Sequence, residues 1–138
     1  ILNIKLKYLD HWNQKRNHCA ELYREKLQGI GDIKLPIVEA QNLSAYHLFV
    51  IRTQYRDSLF KFLNSKNIQT VIHYPVPIHL QKAYKELNYT INSFPVTEQL
   101  AKEILSLPMY PELSIEDIDM VVAVIEEFFA SRVTSHYQ

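Results

Sequence analysis

Apolar residues recur every three or four positions over the first part of the chain, which is the spacing of one face of an α-helix. The recurring positions are Leu2, Leu6, Leu9, Trp12, Ala20, Tyr23 and Leu27. This pattern predicts one helix over 1–28, and Gly29 is a typical residue for its end. At a rise of 1.5 Å per residue the helix would be about 40 Å long, more than a small domain needs for its own core. We therefore expect it to connect two bodies.

Three later segments contain the β-branched and aromatic residues that are typical of buried strands. They are Ala45 to Thr53, Ile68 to Tyr74, and the stretch LSLPMYP that begins at Leu105. Pro75 and Pro77 should end the second strand, because proline has no N–H group to donate to a neighbouring strand.

Helical patterns lie between and after these strands. The stretches are YRDSLFKFLNSKN, HLQKAYKEL, a helix opened by Pro95, and a final helix from Ser114 to about Phe129. The last is the clearest, because Ser114 and Asp117 form a capping box before a regular apolar face. The residues after Ala130 show no periodic pattern and are expected to fray.

The order of these elements predicts an α/β protein of the α+β type, with a small, partly antiparallel sheet of about three strands flanked by helices. The predicted organisation is a single domain consisting of a long interdomain helix (1–28), a small domain (29–130) and a frayed tail (131–138). The chain opens inside the helical pattern and without Met, so we expect it to be a fragment cut from a longer protein.

The composition excludes several classes of function. Lys and Arg together number 15, as do Asp and Glu, so no strong positive field is available to attract nucleic acid. The single cysteine cannot form an internal disulfide, which is typical of a cytoplasmic protein, and no apolar run is long enough to span a membrane. The two glycines cannot form a glycine-rich phosphate-binding loop.

The stretch TVIHYPVPIHLQ, from Thr70 to Gln81, concentrates the candidate chemistry. His73 and His79 invite a metal-site interpretation, but the two prolines between them and the absence of nearby acids or cysteines argue against it. His73 and Tyr74, at the end of a predicted strand, suit hydrogen bonding to a ligand's phosphate or hydroxyl groups. The alternative is that Tyr74 packs at the core edge and His73 faces solvent. The residues alone indicate no catalytic set.

Three stretches, taken in order, resemble the C-terminal region of the DegT/DnrJ/EryC1/StrS family of sugar aminotransferases. They are AYHLFVIRT, IQTVIHYPVPIHLQKAY and FPVTEQLAKEILSLPMYPELSIEDIDMVVAVIEEF. The opening ILNIKLKYLDHWNQKR is similar to the long helix that leaves the family's large catalytic domain. The resemblance extends from Ile1 to Phe129 and implies the small C-terminal domain of a fold-type-I aminotransferase.

The resemblance further implies a pyridoxal-phosphate enzyme that moves an amino group, commonly from glutamate, onto a nucleotide-linked keto sugar. Such enzymes are homodimers. They act in amino-sugar and polysaccharide biosynthesis, including that of lipopolysaccharide or O-antigen. The family's Schiff-base lysine and the aspartate facing the cofactor ring belong to the large domain, upstream of Ile1. The resemblance therefore implies no catalytic residue and no bound cofactor in this chain, which should be inactive alone.

The family's IHYP segment matches Ile72, His73, Tyr74 and Pro75. By this resemblance His73 and Tyr74 are the best candidates for contacting the nucleotide sugar, and His79 is a further candidate. The stretch HYPVPIHLQ favours enzymes acting on deoxythymidine-linked 3-keto sugars. The alternative from another class is a free-standing, non-enzymatic module that binds a ligand or partner.

Overall fold

The structure, a computed structural model, describes residues 1–134 and combines helices with a small sheet, which confirms the predicted α/β class. The helices are α1 (Leu2–Leu6), α2 (Leu9–Leu27), α3 (Arg56–Ser65), α4 (Pro95–Glu103) and α5 (Ile115–Thr134). Two 3₁₀ helices span Ile78–Leu80 and Lys82–Leu87, and the strands are β1 (Phe49–Arg52) and β2 (Ile104–Leu107).

The helix predicted over 1–28 is interrupted between α1 and α2. The N–H of Lys7 donates to the Ile4 carbonyl at 3.3 Å and that of Tyr8 to the Lys5 carbonyl at 3.0 Å, both three residues back as in a 3₁₀ turn. No residue of α1 is buried, and its apolar side chains are at least 63% exposed. The prediction of one uninterrupted helix is therefore wrong. The physical reason is that no core neighbour supports the N-terminal end. The predicted end at Gly29, with φ +82°, is confirmed.

The sheet is antiparallel, and within the described residues it has two strands rather than about three. Phe49 lies opposite Leu107, and Arg52 lies opposite Ile104. The predicted strand from Ile68 to Tyr74 is reduced to one bridge between Val71 and Ser106 on the other edge of β2.

The end of α3 explains the missing strand. Asn67 adopts a left-handed conformation with φ +61°, and its N–H donates to the Asn64 carbonyl at 3.0 Å. The N–H of Ile68 donates to the Leu63 carbonyl at 2.9 Å, which completes a Schellman cap. This cap uses the start of the predicted strand and Pro75 limits its end, so few residues remain to pair.

The core lies where the C-terminal half of α2, helix α3 and the sheet pack against α5. Its largest fully buried side chains are Tyr23, Leu27, Phe49, Ile51, Leu59, Leu63, Leu105, Ile118 and Ile125. The rings of Tyr23 and Phe49 stack with centroids 5.1 Å apart, and the Tyr23 hydroxyl donates to the Pro108 carbonyl at 3.1 Å. Burial raises the pKa of the Tyr23 phenol above its usual range, so this hydroxyl stays a donor.

The capping box of α5 is confirmed. The N–H of Asp117 donates to the Ser114 hydroxyl oxygen at 3.0 Å, and that hydroxyl donates to the Asp117 carboxylate at 2.8 Å. The helix continues to Thr134, beyond the predicted end near Phe129, so residues 131–134 are helical rather than frayed. The rest of the predicted frayed tail lies outside the described residues.

Candidate functional site

The candidate site is the segment between Thr70 and Gln81, which runs along the edge of β2 that faces away from β1. The backbone N–H of Val71 donates to the Ser106 carbonyl at 3.2 Å, and that of Ser106 donates to the Val71 carbonyl at 2.8 Å. After this bridge the chain passes Pro75 and enters the 3₁₀ helix Ile78–Leu80. The bridge therefore fixes the start of the segment on the sheet.

His73 is held against the same strand by its side chain. Its Nδ1 atom lies 2.9 Å from the hydroxyl oxygen of Ser106, which is only 4% exposed. Within residues 1–134, Nε2 of His73 makes no hydrogen bond, and no buried side-chain nitrogen or oxygen there lacks a partner. Nε2 of this half-buried ring is therefore accessible to solvent and to a ligand.

Tyr74 follows directly and is 72% exposed. The peptide bond between His73 and Tyr74 is cis, and the two rings meet edge to face with centroids 5.5 Å apart. The Tyr74 hydroxyl makes no hydrogen bond to the described part of the chain. The structure thus brings two of the three candidate side chains together, each with a polar atom available to a ligand.

A cleft of about 470 Å³ lies beside His73, within the range of about 300–1,000 Å³ that is usual for small-molecule sites. Its lining is Leu48, Asn67, Ile68, Gln69, Val71, His73, Ser106, Leu107, Pro108, Met109, Tyr110, Leu113, Asp117, Met120 and Val121. The walls are mainly apolar with a few polar side chains, which suits a ligand with both characters.

His79 has a different environment. It is 9% exposed, and its Nε2 lies 3.1 Å from Oε1 of Glu98. Its ring contacts Phe94 and Tyr89 edge to face, with centroids 4.9 Å and 6.5 Å away. His79 therefore packs inside the segment and lacks the open surface of His73 and Tyr74.

The carboxylate of Glu98, in the first turn of α4, bonds three groups from two parts of the chain. It accepts hydrogen bonds from the backbone N–H groups of Asn92, at 2.9 Å, and Phe94, at 3.3 Å, as well as from the His79 ring. These bonds lower the pKa of the Glu98 carboxyl, although desolvation opposes them. The bond from the Asn92 N–H has the largest effect, and those from Phe94 and His79 have smaller ones. Glu98 therefore holds the loop before α4 and the 3₁₀ helix together.

Sequence reasoning missed Ser106 and Glu98, the partners of the two histidines. A signal was present in each case, since a serine inside an apolar strand or a glutamate on a buried helix face must find a polar partner. His73 and His79 thus have different partners. No group of three or more His, Cys, Asp or Glu side chains within residues 1–134 is arranged to hold a metal ion. None of the helices in this range has the length and apolar character needed to cross a bilayer.

Comparison with known proteins gives this segment a context. The profile of the DegT/DnrJ/EryC1/StrS aminotransferase family matches residues 1–126. The chain is 44% identical over 126 residues to the erythromycin biosynthesis sensory transduction protein EryC1 of Saccharopolyspora erythraea, an alignment that covers 91% of this chain and 34% of that protein.

A second relative carries an enzyme name. The chain is 42% identical over 128 residues to the dTDP-3-amino-3,6-dideoxy-α-D-galactopyranose transaminase of Aneurinibacillus thermoaerophilus, covering 93% of this chain and 34% of that protein. Among solved structures, the crystal structure of S. venezuelae DesV in complex with a ketimine intermediate matches with a TM-score of 0.89 and 37% identity. That match covers 92% of this chain and 34% of DesV. The chain thus spans about a third of the length of these relatives.

Proposed function

The chain belongs to the DegT/DnrJ/EryC1/StrS aminotransferase family, and on that basis we propose that it is the C-terminal part of a pyridoxal-phosphate-dependent enzyme. The enzyme would transfer an amino group, from glutamate, to a nucleotide-linked keto sugar. The observation that carries this proposal is the family match over residues 1–126, which includes every residue of the candidate site. The name of the 42% identical relative supports a deoxythymidine-linked 3-keto sugar as the substrate.

Within this enzyme we assign substrate contact to His73 and Tyr74. Nε2 of His73 and the hydroxyl of the 72% exposed Tyr74 can each bond an oxygen of the sugar or its phosphates. His79, predicted as a further contact, is 9% exposed and bonded to Glu98. We assign it the role of holding the segment that follows the two contact residues.

We infer that this chain does not itself hold pyridoxal phosphate as a resident cofactor. No lysine within residues 1–134 is buried, and none lines the cleft beside His73. We therefore assign the cofactor, which supplies the electron sink for amino transfer when bound, to the part of the enzyme outside this chain. Mixing the chain with pyridoxal phosphate, reducing with borohydride and measuring mass should leave every lysine unmodified at stoichiometric cofactor. A single lysine labelled in full would contradict this assignment.

The remaining properties of the family complete the proposal. We propose that the intact enzyme is a cytoplasmic homodimer that supplies amino sugars for polysaccharide assembly, such as lipopolysaccharide O-antigen. The balanced charge, with 15 basic and 15 acidic residues, supports a small-molecule substrate over nucleic acid. Size-exclusion chromatography with light scattering on the intact enzyme tests the dimer.

The decisive experiment uses the intact enzyme, in which this chain follows the large domain. We expect pyridoxal-phosphate-dependent amino transfer from glutamate to a deoxythymidine-linked keto sugar. Mass spectrometry of the amino sugar measures this transfer. His73→Ala should raise KM for the sugar about threefold to tenfold, the usual effect of one lost hydrogen bond. His11→Ala, at an exposed histidine of α2 outside the cleft, is the matched control and should leave KM unchanged.

A non-enzymatic binding module is the second candidate, because the 44% identical relative carries a sensory transduction name rather than an enzyme name. Isothermal titration of the intact protein with a deoxythymidine diphosphate sugar separates the two. Binding without amino transfer in the presence of glutamate and pyridoxal phosphate would overturn the enzymatic proposal in favour of the module.

A further inference from the structure

Ser106 is a polar residue in the most buried part of the sheet. It lies in β2 between Leu105 and Leu107, all three are less than 9% exposed, and its backbone is bonded to Val71. Its side chain is not needed for that pairing. The hydroxyl has one hydrogen-bond partner within the described residues, which is Nδ1 of His73 at 2.9 Å.

The hydrogen-bond capacity of this pair favours one arrangement of protons. A neutral imidazole carries its proton on one nitrogen, and a serine hydroxyl has one hydrogen to donate. If His73 carried its proton on Nδ1 and donated it to Ser106, the serine hydrogen would lack an acceptor among residues 1–134. If Ser106 donates instead, both groups are satisfied and the imidazole proton lies on Nε2. An unsatisfied buried hydroxyl should disfavour the first arrangement by about tenfold or more.

We propose that Ser106 is a positioning residue that donates its hydrogen bond to Nδ1 of His73 and so selects the Nε2–H tautomer of the neutral ring. Nε2 is the ring nitrogen that remains open to a ligand. His73 then presents a hydrogen-bond donor in a fixed direction at the cleft wall.

This tautomer specifies the atom that His73 recognises. A neutral N–H donor bonds an acceptor oxygen, and in a keto sugar the carbonyl and hydroxyl oxygens are such acceptors. This extension rests on the proposed function, because it takes the keto sugar as the ligand. The tautomer itself does not depend on the ligand and is measured without it.

The first experiment measures the tautomer in the full 138-residue chain. Long-range ¹H–¹⁵N correlation spectra at pH 8.5 distinguish protonated from unprotonated ring nitrogens, and loss of one set of signals in His73→Gln assigns that ring. We expect an unprotonated Nδ1 and a protonated Nε2. In Ser106→Ala the ratio of the Nε2–H form to the Nδ1–H form should fall about tenfold, since the buried hydroxyl no longer selects one form.

Two variants separate this role from a structural one. Ser106→Thr keeps the hydroxyl in a strand that tolerates a β-branched residue, and it should restore the Nε2–H form. Ser65→Ala removes a hydroxyl that donates to the Phe62 carbonyl and should leave the His73 signals unchanged. A wild-type ring protonated on Nδ1 would overturn the proposal whatever the variants do. Unchanged populations in a folded Ser106→Ala would overturn it equally.

The second experiment tests the donor in the intact enzyme. Gln can place an amide N–H near the position of Nε2 without a charge, whereas Leu has no donor. We expect His73→Gln to keep KM for the keto sugar within about threefold of wild type and His73→Leu to raise it about tenfold, with kcat less affected. Equal KM values for the two variants would overturn the donor role, while the spectra would still report the tautomer. Loss of all amino transfer in the wild type would count against the proposed function alone.

Discussion

The core under α5 and the segment from Thr70 to Glu98 are stabilised by different means. In the core, Leu63, Ile118 and Ile125 are fully buried, and apolar contacts surround them. In the segment, large apolar side chains such as Ile91 are mostly exposed. The start of the segment is attached to β2 by hydrogen bonds to Ser106, and Glu98 bonds later parts of the segment to one another.

The difference shows how stability and binding are divided in this chain. Apolar burial is distributed over many side chains and gives most of the folding free energy. Polar attachment depends on individual atoms, so one substitution can release a site segment while the core remains folded. Measuring global and local stability in the same variants therefore separates the two regions.

The largest effect is expected in the core. Leu63→Ala should lower the free energy of unfolding by about 2–5 kcal/mol, because a fully buried leucine leaves a cavity when shortened. The matched control is Leu43→Ala, at a leucine that is 100% exposed, which should change it by less than about 0.5 kcal/mol. Urea unfolding of both variants measures the difference. Similar values for the two leucines would contradict the location of the core.

A smaller effect is expected where the backbone meets the core at Gly31. Its φ is +53°, and a Cβ atom there would overlap the ring of Phe129. Gly31→Ala should therefore lower the free energy of unfolding by about 1–3 kcal/mol. Gly29 has φ +82°, but a Cβ atom added there would have no neighbouring atom within 4 Å, so Gly29→Ala should show backbone strain alone, about 1 kcal/mol. A larger loss at Gly29, measured by the same unfolding curves, would refute the packing argument.

The core could be predicted well from the sequence because its signals are local. Helical spacing predicted the helix in YRDSLFKFLNSKN that forms α3, and the capping box located the start of α5. The third strand was predicted wrongly because the left-handed Asn67 continues the end of α3 into that stretch. Strand-like composition is a weak indicator where a helix cap competes for the same residues.

The site could be predicted only in part. The IHYP stretch indicated His73 and Tyr74 through family resemblance, but their surroundings come from distant parts of the chain. Ser106 is 33 residues from His73, and Glu98 is 19 residues from His79. Contacts at such separations depend on how the elements pack, and no local periodicity encodes them.

The sharpest test of the difference between the core and the segment is to remove the charge of the Glu98 carboxylate. Backbone N–H groups of Asn92 and Phe94 lower its pKa in the folded chain. A depressed carboxyl pKa stabilises the fold above the unfolded value of about 4.3, and the contribution is lost as the pH falls through the folded value. We therefore expect the segment to be protected at pH 5–7 and to open progressively as the pH falls below the unfolded pKa.

Glu98→Gln should remove this pH dependence and speed hydrogen exchange at the Asn92 and Phe94 amides about threefold to tenfold at pH 6, because the charged acceptor is lost. Glu86→Gln, at an exposed glutamate in the same segment, is the matched control and should exchange like the wild type at every pH. The core amides should keep wild-type protection in both variants, since apolar burial does not depend on this charge. If Glu98→Gln instead lowered core protection as much as that of the segment, the two regions would form one cooperative unit and the division between them would fail.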